Sequence, residues 1–111
     1  MSTDREDLLQ GTLEMLVLTV LSLGPLHGWG ISERIRQMSG EVFEVNQGSL
    51  YPALQRMKRK GWVRSEWRRT ENNRRARYYE LTPTGERQLE QERVSWRRSA
   101  GAVEQILAAA F

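Results

Sequence analysis

From Leu8 to Leu23 apolar residues occupy almost every side of a helical wheel. Leu8, Leu9, Leu13, Leu16, Val17, Val20 and Leu23, with Thr12 among them, precede a Gly24-Pro25 stop. Such a pattern predicts a helix buried on more than one side. A second helix is predicted from about Gly28 to Met38, with Ile31, Ile35 and Met38 at i, i+4 and i+7 and Gly40 at its end. After a segment containing Val42, Phe43 and Val45, a third helix is predicted to begin near Asn46–Gly48 and stop at Gly61. Leu50, Ala53, Leu54 and Met57 form its apolar side; Gly48, Ser49, Pro52, Gln55, Arg56 and Arg59 collect opposite, flanked by Tyr51 and Lys58. Pro52 is tolerated only in a first turn, which predicts a start close to Gly48 and N-terminal amides free to bind an anion.

Beyond Gly61 the period changes from 3.6 to 2. Val63, Ser65 and Trp67 alternate with Arg64, Glu66 and Arg68; Arg77, Tyr79 and Leu81 alternate with Ala76, Tyr78 and Glu80. Two strands are predicted, joined by the polar segment Thr70-Glu71-Asn72-Asn73-Arg74-Arg75 as a hairpin. Thr82-Pro83 then supplies an N-cap followed by a proline at the first helical position. The last helix is expected to run almost to Phe111. Its apolar residues Leu89, Trp96, Val103 and Ala110 are spaced by seven, with Ala100, Ile106 and Leu107 beside them. A terminal stripe with no later element to cover it predicts pairing with another copy through Leu89, Trp96, Val103, Ile106 and Leu107.

Composition changes this picture less than charge does. With 39% apolar and 28% charged residues, the chain of 111 residues reads as a small globular protein. It has no cysteine, so neither a disulfide nor a thiolate metal site supplements the core. The polar, acidic N-terminus and an apolar stretch too short to span a bilayer lead to the expectation of a cytoplasmic protein with no membrane segment. The formal net charge is only +3, yet Arg56 to Tyr78 holds ten cations against Glu66 and Glu71. That local excess of eight charges, flanked by net acidic segments, is a directed field whose commonest partner is a phosphate backbone. Fifteen of the seventeen cations are arginines, whose planar fork suits phosphate oxygens and guanine edges.

Three helices, the third polar-faced and followed by a basic hairpin, predict an α+β, mainly α fold: a winged helix-turn-helix over 1–82 and a dimerisation helix over 83–111. The third helix would enter a major groove, and the two-stranded wing would reach the neighbouring backbone or minor groove. The motifs are specific as well. Gly24-Pro25-Leu26-His27-Gly28-Trp29, Gly48-Ser49-Leu50-Tyr51-Pro52-Ala53-Leu54, Lys60-Gly61-Trp62-Val63 and Arg77-Tyr78-Tyr79-Glu80-Leu81-Thr82-Pro83-Thr84-Gly85 closely resemble the PadR family of bacterial transcriptional regulators, over roughly residues 8–90. The single helix after Gly85 resembles the shorter subfamily. Trp62 stands where the family usually has an aliphatic, and Trp29 where tyrosine is common; each keeps apolar bulk. The resemblance implies a homodimeric repressor binding an inverted repeat in double-stranded DNA, often released by a small molecule. In some short members aromatic residues between subunits stack flat hydrophobic ligands, which makes Trp96 a candidate for that role.

The expected DNA contacts are Gln47, Ser49, Tyr51, Gln55, Arg56 and Arg59 on the third helix, and Asn73, Arg74 and Arg75 at the wing tip. Arg68 and Arg69 serve equally well as cross-strand surface charges. His27, the only histidine, is expected in the turn before the second helix; a catalytic or metal role lacks partners at suitable spacing. No cofactor, metal or enzymatic activity is expected, and no glycine pattern makes a phosphate loop. The alternative is a winged-helix module that binds protein or RNA in place of duplex DNA.

Overall fold

A computed structural model describes residues 10–111 and gives the order α1 (Gln10–Leu21), β1 (Leu26–His27), α2 (Gly28–Met38), α3 (Gln47–Arg59), β2 (Val63–Arg69), β3 (Arg75–Leu81) and α4 (Pro83–Ala110). Leu8 and Leu9, expected in the first helix, lie outside the described residues. In α1, Leu13, Val17, Leu18, Val20 and Leu21 are buried, as an all-round apolar helix should be. Leu23 lies past the helix end and is exposed, so the stripe stops two residues early.

Helix α2 is capped by His27, whose Nδ1 accepts the Gly30 N–H at 3.1 Å and whose ring meets Tyr78 edge-on. Ile31 and Ile35 are buried, but Met38, expected beside them, is exposed. It is the last helical residue, where the chain turns away through Ser39 and Gly40. Helix α3 is capped by Asn46, whose Oδ1 accepts the Ser49 N–H at 2.8 Å. Leu50, Ala53, Leu54 and Met57 are fully buried, each at 0% exposure, which fixes the rotation of the helix. Pro52 sits inside the helix, beyond the first turn where it was expected. The carbonyl that loses its helical donor is that of Gly48, an exposed residue, so solvent is free to hydrogen-bond it.

The expected two-stranded wing is present as β2 and β3, and a third, short strand joins it in the sheet. Strand β3 pairs antiparallel with β2 from Val63↔Leu81 to Arg69↔Arg75, and on its other edge with β1 through Leu26↔Tyr79 and His27↔Tyr78. A two-residue strand shows no period in a sequence, so β1 could not be recognised there. Its pairing ties the wing's base to the start of α2. Val63 and Tyr79 face the core, each 2% exposed.

Thr82 caps α4 through the Gly85 N–H, while its hydroxyl donates to the Gly61 carbonyl at 2.5 Å. A Cβ on Gly85 would overlap the Trp62 carbonyl oxygen, so only glycine allows the first turn of α4 to sit against the chain entering β2. Leu89 also belongs to the core cluster at 8% exposure. This corrects its placement in a seam between copies: the side chain is already taken up within its own subunit. From Arg93 onward nearly every residue of α4 is exposed, and the helix extends from the body as an arm.

Candidate nucleic-acid interface

Burial of its apolar side turns the opposite face of α3 outward. Ser49, Gln55 and Arg59 are exposed there, and none has a side-chain partner among the described residues. Gln47 is engaged differently: its Nε2 donates to Ser32 Oγ at 2.8 Å, bridging α3 to α2. Tyr51 is 45% exposed, with its hydroxyl over Gly28, where a Cβ would come within 2.8 Å of that oxygen. Gly28 therefore lets the phenol lie across the first turn of α2.

Arg56 departs from expectation. Its Nε donates to Glu14 Oε2 at 3.0 Å, and Lys60 Nζ lies 3.8 Å from the other carboxylate oxygen. Glu14 is a buried acid of α1, only 4% exposed. Arg56 thus points along the flank of α3 towards α1 and serves first as the counter-ion of a buried carboxylate.

The wing has two chemically different faces. On one, Arg64 and Arg68 reach Glu80 at 2.9 and 3.0 Å, and Arg68 also pairs with Glu66. The Arg64 hydrogen bond, reinforced by Arg68, holds the Glu80 carboxyl below the usual carboxylate range. These two arginines are cross-strand surface charges, one of the two roles open to Arg68. On the other face stand Trp67, Arg69, Arg75 and Arg77. Arg69 donates to Asn73 Oδ1 at 2.8 Å, and Asn73 itself adopts a left-handed φ of 61° in the turn. Asn73 is therefore a turn-former with its side-chain oxygen in use. Arg74 has no side-chain partner among the described residues.

Between this second wing face, Tyr51 and the start of α2 lies an open cleft of about 930 Å³. Trp29, Tyr51, Trp67, Arg74, Arg75 and Arg77 line it. The structure thus brings Tyr51, Arg74 and Arg75 to one concavity, with Ser49, Gln55 and Arg59 on the outward helix face. Trp29, Trp67 and Arg77 were not among the expected contacts. For Trp67 and Arg77 the signal was available in the alternation of the strands, which puts both on the face of Arg75 once the register is known. A concavity with guanidinium and aromatic walls can receive one sugar-phosphate strand.

A second groove, about 510 Å³, runs between α1 and α4, with Gly11, Thr12 and Met15 on one wall and Gln88, Glu92, Ser95 and Trp96 on the other. Trp96 is 50% exposed. Val103, Ile106 and Leu107 continue an uncovered apolar stripe along the arm. Among the described residues no helix is long and apolar enough to cross a membrane.

The family model described as "Transcriptional regulator PadR-like family" matches residues 17–91. A 37.1 kDa uncharacterized protein in transposon TN4556 of Streptomyces fradiae is 43% identical over 90 residues; the match covers 81% of this chain and 24% of that protein. The chain therefore spans about a quarter of that relative's length. Among solved structures, a PadR-like transcriptional regulator from Bacillus cereus is 26% identical with a TM-score of 0.77, covering 88% of this chain and 93% of that one. A PadR family transcription regulator from Clostridium difficile is 27% identical with a TM-score of 0.75, covering 86% and 97%.

Proposed function

The chain belongs to the PadR-like family of transcriptional regulators, and on that footing we propose that it acts as a homodimeric repressor bound to a pseudo-palindromic operator beside its own gene. As a member of that family it is a DNA-binding regulator and not an enzyme. In the proposed complex two α3 helices occupy successive major grooves about one turn, roughly 34 Å, apart. Ser49 and Gln55 read base edges, while Tyr51, Arg59, Arg74 and Arg75 hold phosphates. Gln47 and Asn73 contribute through backbone placement, and Arg56 by fixing α3 on α1.

The observation that carries this reading is the pairing of an unpartnered polar face on α3 with a cleft whose wing wall bears three arginines, Arg74, Arg75 and Arg77, free of acidic partners among the described residues. In the same proposal the half-exposed Trp96 stacks a flat hydrophobic effector between subunits, which would release the operator from a cytoplasmic repressor.

Footprinting the intergenic DNA beside the gene, with a mobility-shift titration over a salt series, tests the proposal. Protection of an inverted repeat is expected, with log affinity falling against log salt at a slope of roughly −5 or steeper for about six neutralised phosphates. Equal affinity for that fragment and an unrelated duplex, or an affinity indifferent to salt, would refute it.

A further inference from the structure

Trp67 is 55% exposed and lies outside the core cluster, although the same strand face is buried nearer its base at Val63. Core packing therefore does not account for an indole at this position. It stands opposite Arg77 in the β2–β3 register, with Arg75 on the diagonal. Both guanidinium carbons lie over its ring, at 5.1 Å for Arg75 and 5.2 Å for Arg77. Neither arginine has a carboxylate partner among the described residues; Glu71, the one acid bordering the cleft, makes no ion pair with either.

The wing thus holds arginines in two ways. On the outer face Glu66 and Glu80 fix Arg64 and Arg68 by occupying their N–H donors and neutralising their charge. On the cleft face an indole fixes Arg75 and Arg77 through the ring quadrupole, which leaves the in-plane N–H donors and the full positive charge available. Arginines held only by an aromatic face remain ready for an external anion.

We propose that Trp67 is a positioning residue of the DNA interface: it pre-arranges Arg75 and Arg77 so that their forks meet consecutive phosphates of the strand lying in the cleft. The inference rests on the duplex-DNA reading above and adds the means by which the wing arginines are aimed. Without the indole both side chains regain rotamer freedom that binding must then remove.

The test uses the full chain and a mixed-sequence duplex of about 30 base pairs, long enough for two half-sites one turn apart. Trp67→Leu keeps apolar bulk but removes the ring face, and Trp67→Phe keeps a face. The loss expected for Trp67→Leu is about tenfold in affinity at low salt, from two freed arginines, with an unchanged thermal midpoint. Trp67→Phe should recover most of it. Adding Trp67→Leu to an Arg75→Ala/Arg77→Ala background should change binding no further. Undiminished binding by Trp67→Leu, or an equal loss without the two arginines, would overturn the proposal. Should Trp67→Leu fail to fold, Trp67→Thr, a good strand former, takes its place in the same cycle. If the wild-type chain fails to retard the duplex at low salt, the DNA reading falls and this inference with it. Wild-type binding beside an unaffected Trp67 variant removes only the inference.

Discussion

Glu14 decides what Arg56 can do. A carboxylate left 4% exposed between two helices requires a cation, and Arg56 supplies it at 3.0 Å with Lys60 further off at 3.8 Å. Breaking a buried pair costs about 3–5 kcal/mol; because Arg56 keeps 27% of its side-chain surface in water, about 2–3 kcal/mol is the expected loss for Arg56→Ala. Urea denaturation measures it, with Arg59→Ala as the control that should leave stability within about 0.5 kcal/mol. The double variant Glu14→Gln/Arg56→Met should recover most of the stability, since no unpaired charge then remains buried. The sequence pattern puts Arg56 on the outward face with Gln55 and Arg59, whereas the structure turns it along the flank of α3 towards α1. The periodicity of one helix cannot show that a neighbouring helix brings an acid there. One sign was present: Glu14 interrupts an otherwise apolar run, and an acid there needs a partner somewhere in the fold. Ser49, Gln55 and Arg59, by contrast, were legible because their exposure follows from the buried residues on the other side of the same helix.

At the scale of elements, periodicity located four helices and the hairpin because each buries one side at a regular interval. It missed β1, which is too short to show a period, and it assigned Leu89 to a seam when the core already holds that side chain. The start of α4 explains the second point. Gly85 lets the helix approach the Trp62 carbonyl closely enough for Leu89, one turn on, to reach the core. Gly85→Ala should therefore force α4 away from the chain entering β2 and cost about 1–3 kcal/mol, as overpacking does. Gly101, in the same helix, has nothing among the described residues within 4 Å of an added Cβ. Gly101→Ala should instead stabilise the helix by about 0.5–1 kcal/mol. Thermal denaturation of the two variants should move the midpoint in opposite directions; a shared direction would contradict the role given to Gly85.

At the scale of the whole molecule, the unresolved balance lies in α4. A helix of 28 residues extends about 42 Å at 1.5 Å per residue, and among the described residues its buried side chains lie in the first two turns. Beyond them Trp96, Val103, Ile106 and Leu107 expose 50%, 53%, 69% and 46% of their surfaces along one stripe. Helical stability in proteins comes mainly from packing an apolar side, and the single chain leaves this side of the arm in water. A second copy offers the same stripe and fulfils the requirement of a two-fold interface, in which each surface serves both subunits. It would also join two clefts to one duplex, so that the second half-site binds at an effective concentration set by the linkage. Ile106→Glu/Leu107→Glu changes exposed side chains far beyond Leu89, the last core residue of α4, so the folded core and its thermal signal should persist. Sedimentation equilibrium at micromolar protein should then report monomers in place of dimers, and affinity for a duplex carrying both half-sites should fall towards that for a single half-site, a loss of about 10²-fold or more. A variant that stays dimeric, or a monomer that binds the full site as tightly as the parent chain, would show that the arm serves another purpose.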